Sequence, residues 1–169
     1  MSRDKFLTVM AVLDENGQSQ MEGMQRAIFS CGVQGTQTMN IPFHISLGSF
    51  PLEKKEDIIN RMQSVSKETR PFSVIFPVYS SFTDHVLFAK PIVTPELLQL
   101  HSPFEGNYAD GFPWTPHATL FIGAAEETAI ARKALDECFQ PFSASITALE
   151  LGSFFPAEFI CRCPLNDEA

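Results

Sequence analysis

Short runs of β-branched and aromatic residues alternate with amphipathic stretches along most of this chain. The runs are bounded by turn-forming residues and predict strands near residues 5–13, 43–49, 72–79, 85–90, 117–122, 143–152 and 158–163. Between them, apolar side chains recur at three- or four-residue steps, which predicts helices. The three helical faces are Met21, Met24, Ile28 and Cys31; Ile58, Met62 and Val65; and Ala131, Leu135 and Cys138. A shorter helix is expected to begin at Thr94-Pro95, because threonine caps free amides and proline suits the first turn.

The order strand, helix, strand occurs twice, around similar residues. Phe43-His44-Ile45-Ser46-Leu47 leads through a helix to Pro71-Phe72-Ser73, and Pro116-His117-Ala118-Thr119-Leu120 leads through a helix to Pro141-Phe142-Ser143. The proline follows the histidine by 27 positions in the first copy and by 24 in the second. This repeat predicts one bilobal domain over residues 1–169, with a first motif lobe around 43–80 and a second around 117–163. We expect an α+β fold of two pseudo-symmetric lobes, each a small, largely antiparallel sheet with helices on the outside, around a central cleft.

The composition narrows the class of partner. With 169 residues, of which 44% are hydrophobic and 19% charged, the chain can build an ordinary core. A formal net charge of −8 opposes the attraction to phosphate backbones that drives binding of long nucleic acid, but it leaves room for a small nucleotide or an RNA end. The apolar run at 6–13 is too short to span a bilayer, and Asp14-Glu15 follow where a signal peptide needs small residues. We expect a cytoplasmic protein with no membrane partner.

Cysteine spacing gives no sign of a metal site. Cys161 and Cys163 are separated by one residue, where structural zinc sites use two or more. We expect all four cysteines, Cys31 and Cys138 included, to be buried apolar side chains in a reducing compartment.

Each copy of the repeat carries a histidine and a hydroxyl two positions apart on a predicted strand. Such side chains project from one face, so His44 projects with Ser46 and His117 with Thr119. A phosphodiester reaction needs one group to take a proton and another to give one, on opposite sides of phosphorus. Histidine can serve in either role near neutral pH, and hydroxyls can donate hydrogen bonds to the non-bridging oxygens. The two pairs therefore predict acid-base chemistry on a phosphodiester.

One His-x-Ser/Thr motif is a weak signal, but the pair is specific because leucine follows both and both occupy equivalent places in the repeat. The alternative is that these are two ordinary core histidines. His85 and His101 lack the hydroxyl partner, and for them that alternative is expected.

The paired motifs His44-Ile-Ser46 and His117-Ala-Thr119, in a duplicated chain of this length, resemble the 2H phosphoesterase superfamily, in particular its bacterial 2′-5′ RNA ligase and RNA cyclic phosphodiesterase branch. The resemblance implies a phosphodiesterase, with 2′-5′ ligation as a further option, that acts on 2′,3′-cyclic phosphates or 2′-5′ phosphodiesters without metal or other cofactor. It implies that His44 and His117 are catalytic and that Ser46 and Thr119 bind phosphate. Members of the ligase type often carry a basic residue after the second motif, where this chain has 121–123 Phe-Ile-Gly. The expected partner is therefore a small nucleotide or an RNA end bearing a cyclic phosphate.

The segment 101–116 is rich in glycine, proline and aromatic residues and predicts a loop. Aromatic rings stack on any nucleobase, so Trp114, Phe112 or Tyr108 could form a base-binding platform. Equally, Trp114 could pack the loop against a lobe.

Three other functions compete with this interpretation. A metal site needs a third ligand, for which Asp84 and Asp110 are the nearest candidates in sequence. A Ser-His-Asp hydrolase would leave the duplicated motif unexplained, and the chain has no Gly-x-Ser-x-Gly sequence. A non-catalytic protein could use the same cleft to hold a nucleotide or another phosphorylated ligand, although binding alone does not require a matched pair of proton carriers.

Overall fold

Eight strands and four α-helices follow one another in the parts of the chain that the computed structural model describes, residues 4–106 and 113–169. In chain order they are β1 (Phe6–Leu13), α1 (Glu15–Phe29), β2 (His44–Pro51), α2 (Lys55–Glu68), β3 (Phe72–Phe76), β4 (Val78–Phe82), β5 (Val86–Lys90), α3 (Pro95–His101), β6 (Ala118–Ile122), α4 (Ala125–Cys138), β7 (Phe142–Phe154) and β8 (Glu158–Pro164). Single-turn 3₁₀ helices at Leu52–Lys54 and Ser102–Phe104 follow β2 and α3.

The strands form two sheets, and every strand pair in them is antiparallel. The larger sheet has five strands in the order β2-β1-β7-β3, with β8 also paired to β7, and the smaller has three in the order β4-β5-β6. Helices pack against both sheets, α2 on β7 and β8 and α4 on β5 and β6. The α+β fold with two largely antiparallel sheets is confirmed.

The sheets do not coincide with the two copies of the sequence repeat. Strands β7 and β8 belong to the segment around 117–163, yet they lie in the larger sheet with β1 and β2. The 13-residue strand β7 explains this, because it is long enough to pair with β1 on one edge and with both β3 and β8 on the other. The smaller sheet is therefore made only from the middle of the chain.

Two local predictions need correction. The strand expected at 72–79 is two strands, because Pro77 has no amide hydrogen to continue a ladder and the chain passes there from the larger to the smaller sheet. Cys31 was expected on the buried face of α1, but the helix ends at Phe29 and Cys31 is exposed in the turn that contains Gly32, whose φ is +87°. The predicted start of α3 at Thr94-Pro95 is confirmed. Thr94 caps α3 by accepting a hydrogen bond from the amide of Leu97, at 3.3 Å.

Helix α1 joins the two sheets. Its buried face, which includes Met21 and Ile28, contacts β7 of the larger sheet, β6 of the smaller sheet and helix α4. The amide of buried Gln25 donates to the carbonyl of Leu120 on β6 at 3.0 Å. No helix within the described ranges is long and apolar enough to cross a membrane.

Candidate active site

The two strands that carry the histidine motifs are edge strands, one from each sheet. Strand β2 ends the larger sheet and β6 ends the smaller, and the two strands approach each other without pairing. The space between them is a cleft of about 440 Å³. The fold thus brings the two copies of the motif to one place.

Both motif strands show the alternation that the sequence predicts. Ile45 and Leu47 are buried, while His44 and Ser46 between them are only partly buried. On β6, Ala118 and Leu120 are buried and Thr119 is partly exposed. His44 and Ser46 therefore share a face of β2. His117, partly exposed immediately before β6, continues the same alternation toward Thr119.

A β-bulge lies at the equivalent position in each motif strand. Met10 of β1 pairs with Ser46 and Val9 with Gly48, so Leu47 is the extra residue of β2. Phe88 of β5 pairs with Thr119 and Leu87 with Phe121, so Leu120 is the extra residue of β6. A bulge bends a strand and redirects its side chains. The leucine shared by both motifs therefore marks a shared distortion of the backbone, which supports the pseudo-symmetry.

The two imidazoles are held in the same way. Nδ1 of His44 lies 2.8 Å from the carbonyl oxygen of Pro42, and Nδ1 of His117 lies 2.8 Å from that of Thr115. A carbonyl only accepts hydrogen bonds, so Nδ1 carries the hydrogen in both rings and Nε2 is left for proton transfer. The ring of His117 also packs edge-on against Phe82, with centroids 4.8 Å apart.

Burial makes both histidines weaker bases than a free imidazole. It lowers the pKa of His44 below 6.5, an effect that the hydrogen bond to Pro42 partly offsets and a positive charge on His117 reinforces. Burial likewise lowers the pKa of His117, against the opposing hydrogen bond to Thr115.

The cleft itself is lined by β1, α1, the segment 37–43, the two motif strands and the end of β7. The lining residues are Phe6, Thr8, Glu22, Gln25, Gln37, Thr38, Met39, Asn40, Ile41, Pro42, Phe43, His44, Ser46, Thr119, Ile122, Phe154 and Phe155. His44 and both motif hydroxyls are among them. His117 is not, but it lies two residues before the lining residue Thr119 and is partly exposed immediately before β6. Apart from histidine, Glu22 is the one charged residue among the described lining residues, which include no lysine or arginine.

The segment 37–42 and the rings of Phe6, Phe154 and Phe155 were not predicted from the sequence to line the site. Gln37 fixes the segment to the smaller sheet, because its side-chain oxygen accepts a hydrogen bond from the amide of Ile122 at 3.1 Å. The amide of Thr36 donates to the carbonyl of Ile122 at 2.6 Å. One sequence feature could have indicated the aromatic residues. Residues 153–156 read Ser-Phe-Phe-Pro, so two adjacent aromatic residues fall in a turn between two predicted strands.

Trp114 lies outside this lining. Its indole N–H donates to the carbonyl of Ser46 at 2.9 Å, and its ring stacks on His101 with centroids 3.7 Å apart and planes within 4°. The structure thus places Trp114 in a partly buried packing position. The other two residues proposed for the base platform, Tyr108 and Phe112, lie outside the described residues.

The remaining histidines stand apart from the motifs. His101 is buried and its Nδ1 bonds to the carbonyl of Leu47 at 2.9 Å, as expected of a core histidine. His85 is exposed, contrary to that expectation, and its Nδ1 lies 3.0 Å from the carbonyl of Gly123. In residues 4–106 and 113–169, no three His, Cys, Asp or Glu side chains are grouped so that they could hold a metal ion. Asp110, one of the two candidate ligands, lies in the segment that is not described.

Comparisons with known proteins agree with this architecture. Crystal structures of E. coli LigT in complex with 3′-AMP and of TT0787 from Thermus thermophilus match with TM-scores of 0.66 and 0.67, at 15% and 17% identity. The matches cover 97% of this chain in both cases, and 99% and 100% of the other chains. No curated protein matches this chain in sequence. The profile of the 2′-5′ RNA ligase superfamily matches residues 17–154, and the chain therefore belongs to this superfamily, as its paired motifs predicted.

Proposed function

We propose that this protein is a metal-independent phosphodiesterase that acts on 2′,3′-cyclic phosphates or 2′-5′ phosphodiesters of nucleotides or RNA ends. The observation that carries the proposal is the matched pair of imidazoles. Each donates Nδ1–H to the carbonyl two residues before it, and each has a hydroxyl two residues after it, Ser46 on β2 and Thr119 on β6. A purely structural histidine would not need this arrangement twice, on two strands that face one cleft.

The chemistry follows from the two Nε2 atoms. In hydrolysis of a cyclic phosphate, one histidine takes a proton from the attacking water while the water oxygen forms a bond to phosphorus. The other gives a proton to the ribose oxygen as its bond to phosphorus breaks. The pseudo-symmetry allows either histidine in either role. Reactive nitrogens about 5–8 Å apart would suit this transfer, given hydrogen bonds near 3 Å on both sides of the phosphate.

Ser46 and Thr119 would hold the phosphate between the histidines. Their hydroxyls can donate to the two non-bridging oxygens, where charge grows in the transition state. Because neither hydroxyl titrates near neutral pH, this stabilisation would be present throughout the working range.

The solved relatives support the size of the proposed ligand. E. coli LigT has been crystallised with 3′-AMP, with phosphate, with ATP and with NADP⁺. We infer a small nucleotide or a nucleotide at an RNA end for the present cleft, whose volume of about 440 Å³ would accommodate one nucleotide unit.

The test is a turnover assay with EDTA present, using 2′,3′-cyclic nucleotides, an RNA with a cyclic-phosphate end and a 2′-5′ linked dinucleotide. His44→Ala and His117→Ala should each lower kcat by about 10²- to 10⁴-fold. His85→Ala is the matched control, because His85 also bonds a backbone carbonyl through Nδ1 but has Leu87, and no hydroxyl, two residues after it. A wild-type protein that binds a cyclic nucleotide and never consumes it would establish the alternative, a binding protein.

A further inference from the structure

Three phenylalanines form one wall of the cleft, where β1 begins and β7 ends. We call Phe6, Phe154 and Phe155 the aromatic wall. The rings of Phe6 and Phe154 are stacked, with centroids 5.8 Å apart and planes 24° apart. Phe155 meets both edge-on, at 5.8 Å and 76° from Phe6 and at 5.5 Å and 67° from Phe154. Contacts with two neighbouring rings therefore hold Phe155 in place.

Phe155 is nevertheless 60% exposed, although it lines a concave site beside the motif hydroxyls. Met39, 48% exposed, adds further apolar surface to the same cleft. Apolar side chains with exposed faces inside a cleft are typical of a ligand site, where the ligand removes them from water. The neighbouring Phe154, 6% exposed, serves as the support rather than the contact surface.

The charges in the cleft favour an uncharged partner for this wall. The described lining residues include no lysine or arginine, and Glu22 contributes a negative charge. A ligand with several phosphates would find no cation there, whereas a nucleobase gains its affinity by stacking, which requires no charge. One phosphodiester charge can be met by the histidines and hydroxyls of the motifs.

The spacing along β1 suits one nucleoside. Phe6 lies four residues from Met10, which pairs with Ser46. At roughly 3.3 Å per residue, the aromatic wall is thus about 13 Å from the phosphate-binding motif along the strand, measured between Cα positions. We infer that a ribose with its base bridges this separation between the motif and the aromatic wall.

We propose that the aromatic wall, through the exposed ring of Phe155, binds the nucleobase of a nucleoside whose only charged group is the phosphodiester at the histidines. The inference rests on the proposed function for the identity of that phosphodiester. The base platform is thereby placed at the β7–β8 turn, whereas the sequence had suggested Trp114, Phe112 or Tyr108.

The experiment compares Phe155→Ala with Phe159→Ala. Phe159 lies on β8 in the same hairpin and is 68% exposed, but it does not line the cleft. For a nucleoside 2′,3′-cyclic phosphate, Phe155→Ala should raise KM by roughly 5- to 150-fold, the effect of losing one stacked base, with kcat little changed. For glycerol 1,2-cyclic phosphate, which has no base, it should leave kcat/KM unchanged. Phe155→Trp should restore nucleotide binding, and Phe159→Ala should behave like the wild type.

A second readout separates this proposal from the proposed function. Binding of 3′-AMP, measured by calorimetry, does not depend on turnover, and Phe155→Ala should weaken it by the same factor. If the wild type binds 3′-AMP but consumes no cyclic phosphate, the proposed activity is wrong. The aromatic wall is then still tested by comparing 3′-AMP binding between the wild type and Phe155→Ala. Equal binding by wild type and Phe155→Ala would overturn the wall, and so would an equal loss of kcat/KM for the base-free substrate. Failure of the wild type to bind any nucleotide would overturn both proposals.

Discussion

The indole nitrogen of Trp114 lies 2.9 Å from the carbonyl oxygen of Ser46, which ties the approach to the second motif to the backbone of the first. Trp114 precedes His117 by three residues, and its ring rests on His101, which itself bonds to the carbonyl of Leu47. Two consecutive carbonyls of the first motif strand are thus bound by one stacked pair of rings. The contact holds the two motifs in register with each other, although their strands share no ladder.

Trp114 should contribute mainly to stability. Trp114→Ala removes a partly buried ring from His101 and the core, so we expect the free energy of unfolding to fall by about 3 kcal/mol. Trp114→Phe keeps an aromatic ring and loses the hydrogen bond, at a cost of about 1 kcal/mol. Denaturant titration of both variants measures this. Unchanged stability together with much weaker nucleotide binding would instead make Trp114 the base platform.

The two histidines should titrate as a coupled pair. A positive charge on His117 lowers the pKa of His44, so His117→Gln should raise the pKa of His44 toward 6.5 while burial still holds it below that value. Imidazole proton shifts followed by NMR against pH measure this directly. The matched control, His85→Gln, should leave the titration of His44 where it is, and an unchanged value in His117→Gln would place the rings out of reach of each other.

The pH dependence of kcat/KM should have an acidic maximum. Burial lowers the pKa of both histidines below 6.5, so the protonated form that the general acid requires becomes scarce as pH rises above that value. When the pH falls below both pKa values, the general base becomes protonated and kcat/KM falls again. The acidic and alkaline limbs of the pH profile then give apparent pKa values of the histidine pair as a whole. We expect the maximum of kcat/KM below pH 6.5. A maximum on the alkaline side of neutrality would contradict the assignment.

The motif hydroxyls should affect the rate and not the pH profile. Ser46→Ala and Thr119→Val each remove one donor to the phosphate, which in comparable sites lowers kcat by about 10²- to 10³-fold. Neither group titrates near neutrality, so both limbs of the profile should stay in place. Ser49→Ala is the control, because Ser49 is exposed on the same strand and its hydroxyl bonds to Thr8 instead of lining the cleft. A displaced pH profile in Ser46→Ala would indicate an indirect effect on His44.

Gly48 should tolerate no side chain. A Cβ atom there would lie 2.1 Å from the carbonyl oxygen of Phe104, so β2 would have to move directly after the motif. We expect Gly48→Ala to lower the melting temperature sharply and to reduce turnover. Gly23→Ala places the same methyl group in open space on α1 and should stabilise the protein by up to about 1 kcal/mol. Calorimetric melting of the pair provides the comparison, and equal melting temperatures would show that β2 and Phe104 can separate.

The strands and the motif faces followed from local sequence, because alternation and turn residues determine them. His44 with Ser46 and His117 with Thr119 were predictable as same-face pairs for this reason. The division of the strands between the two sheets could not be predicted, because the pairing of β7 with β1 joins residues far apart in sequence. The aromatic wall was missed for a similar reason, because Phe6 and Phe155 become neighbours only when β7 pairs with β1.

The central position of β7 also determines when this protein can fold during its synthesis. That strand lies between β1 on one side and β3 and β8 on the other, yet it begins only at Phe142. A nascent chain that has emerged as far as α4 holds a two-stranded ribbon, a separate β3 and a finished three-stranded sheet, and two strands without further partners are marginally stable in water. We expect the larger sheet to form in one cooperative step, only after β7 has left the ribosome. Until then the apolar faces of β1 and β3 are open to chaperones.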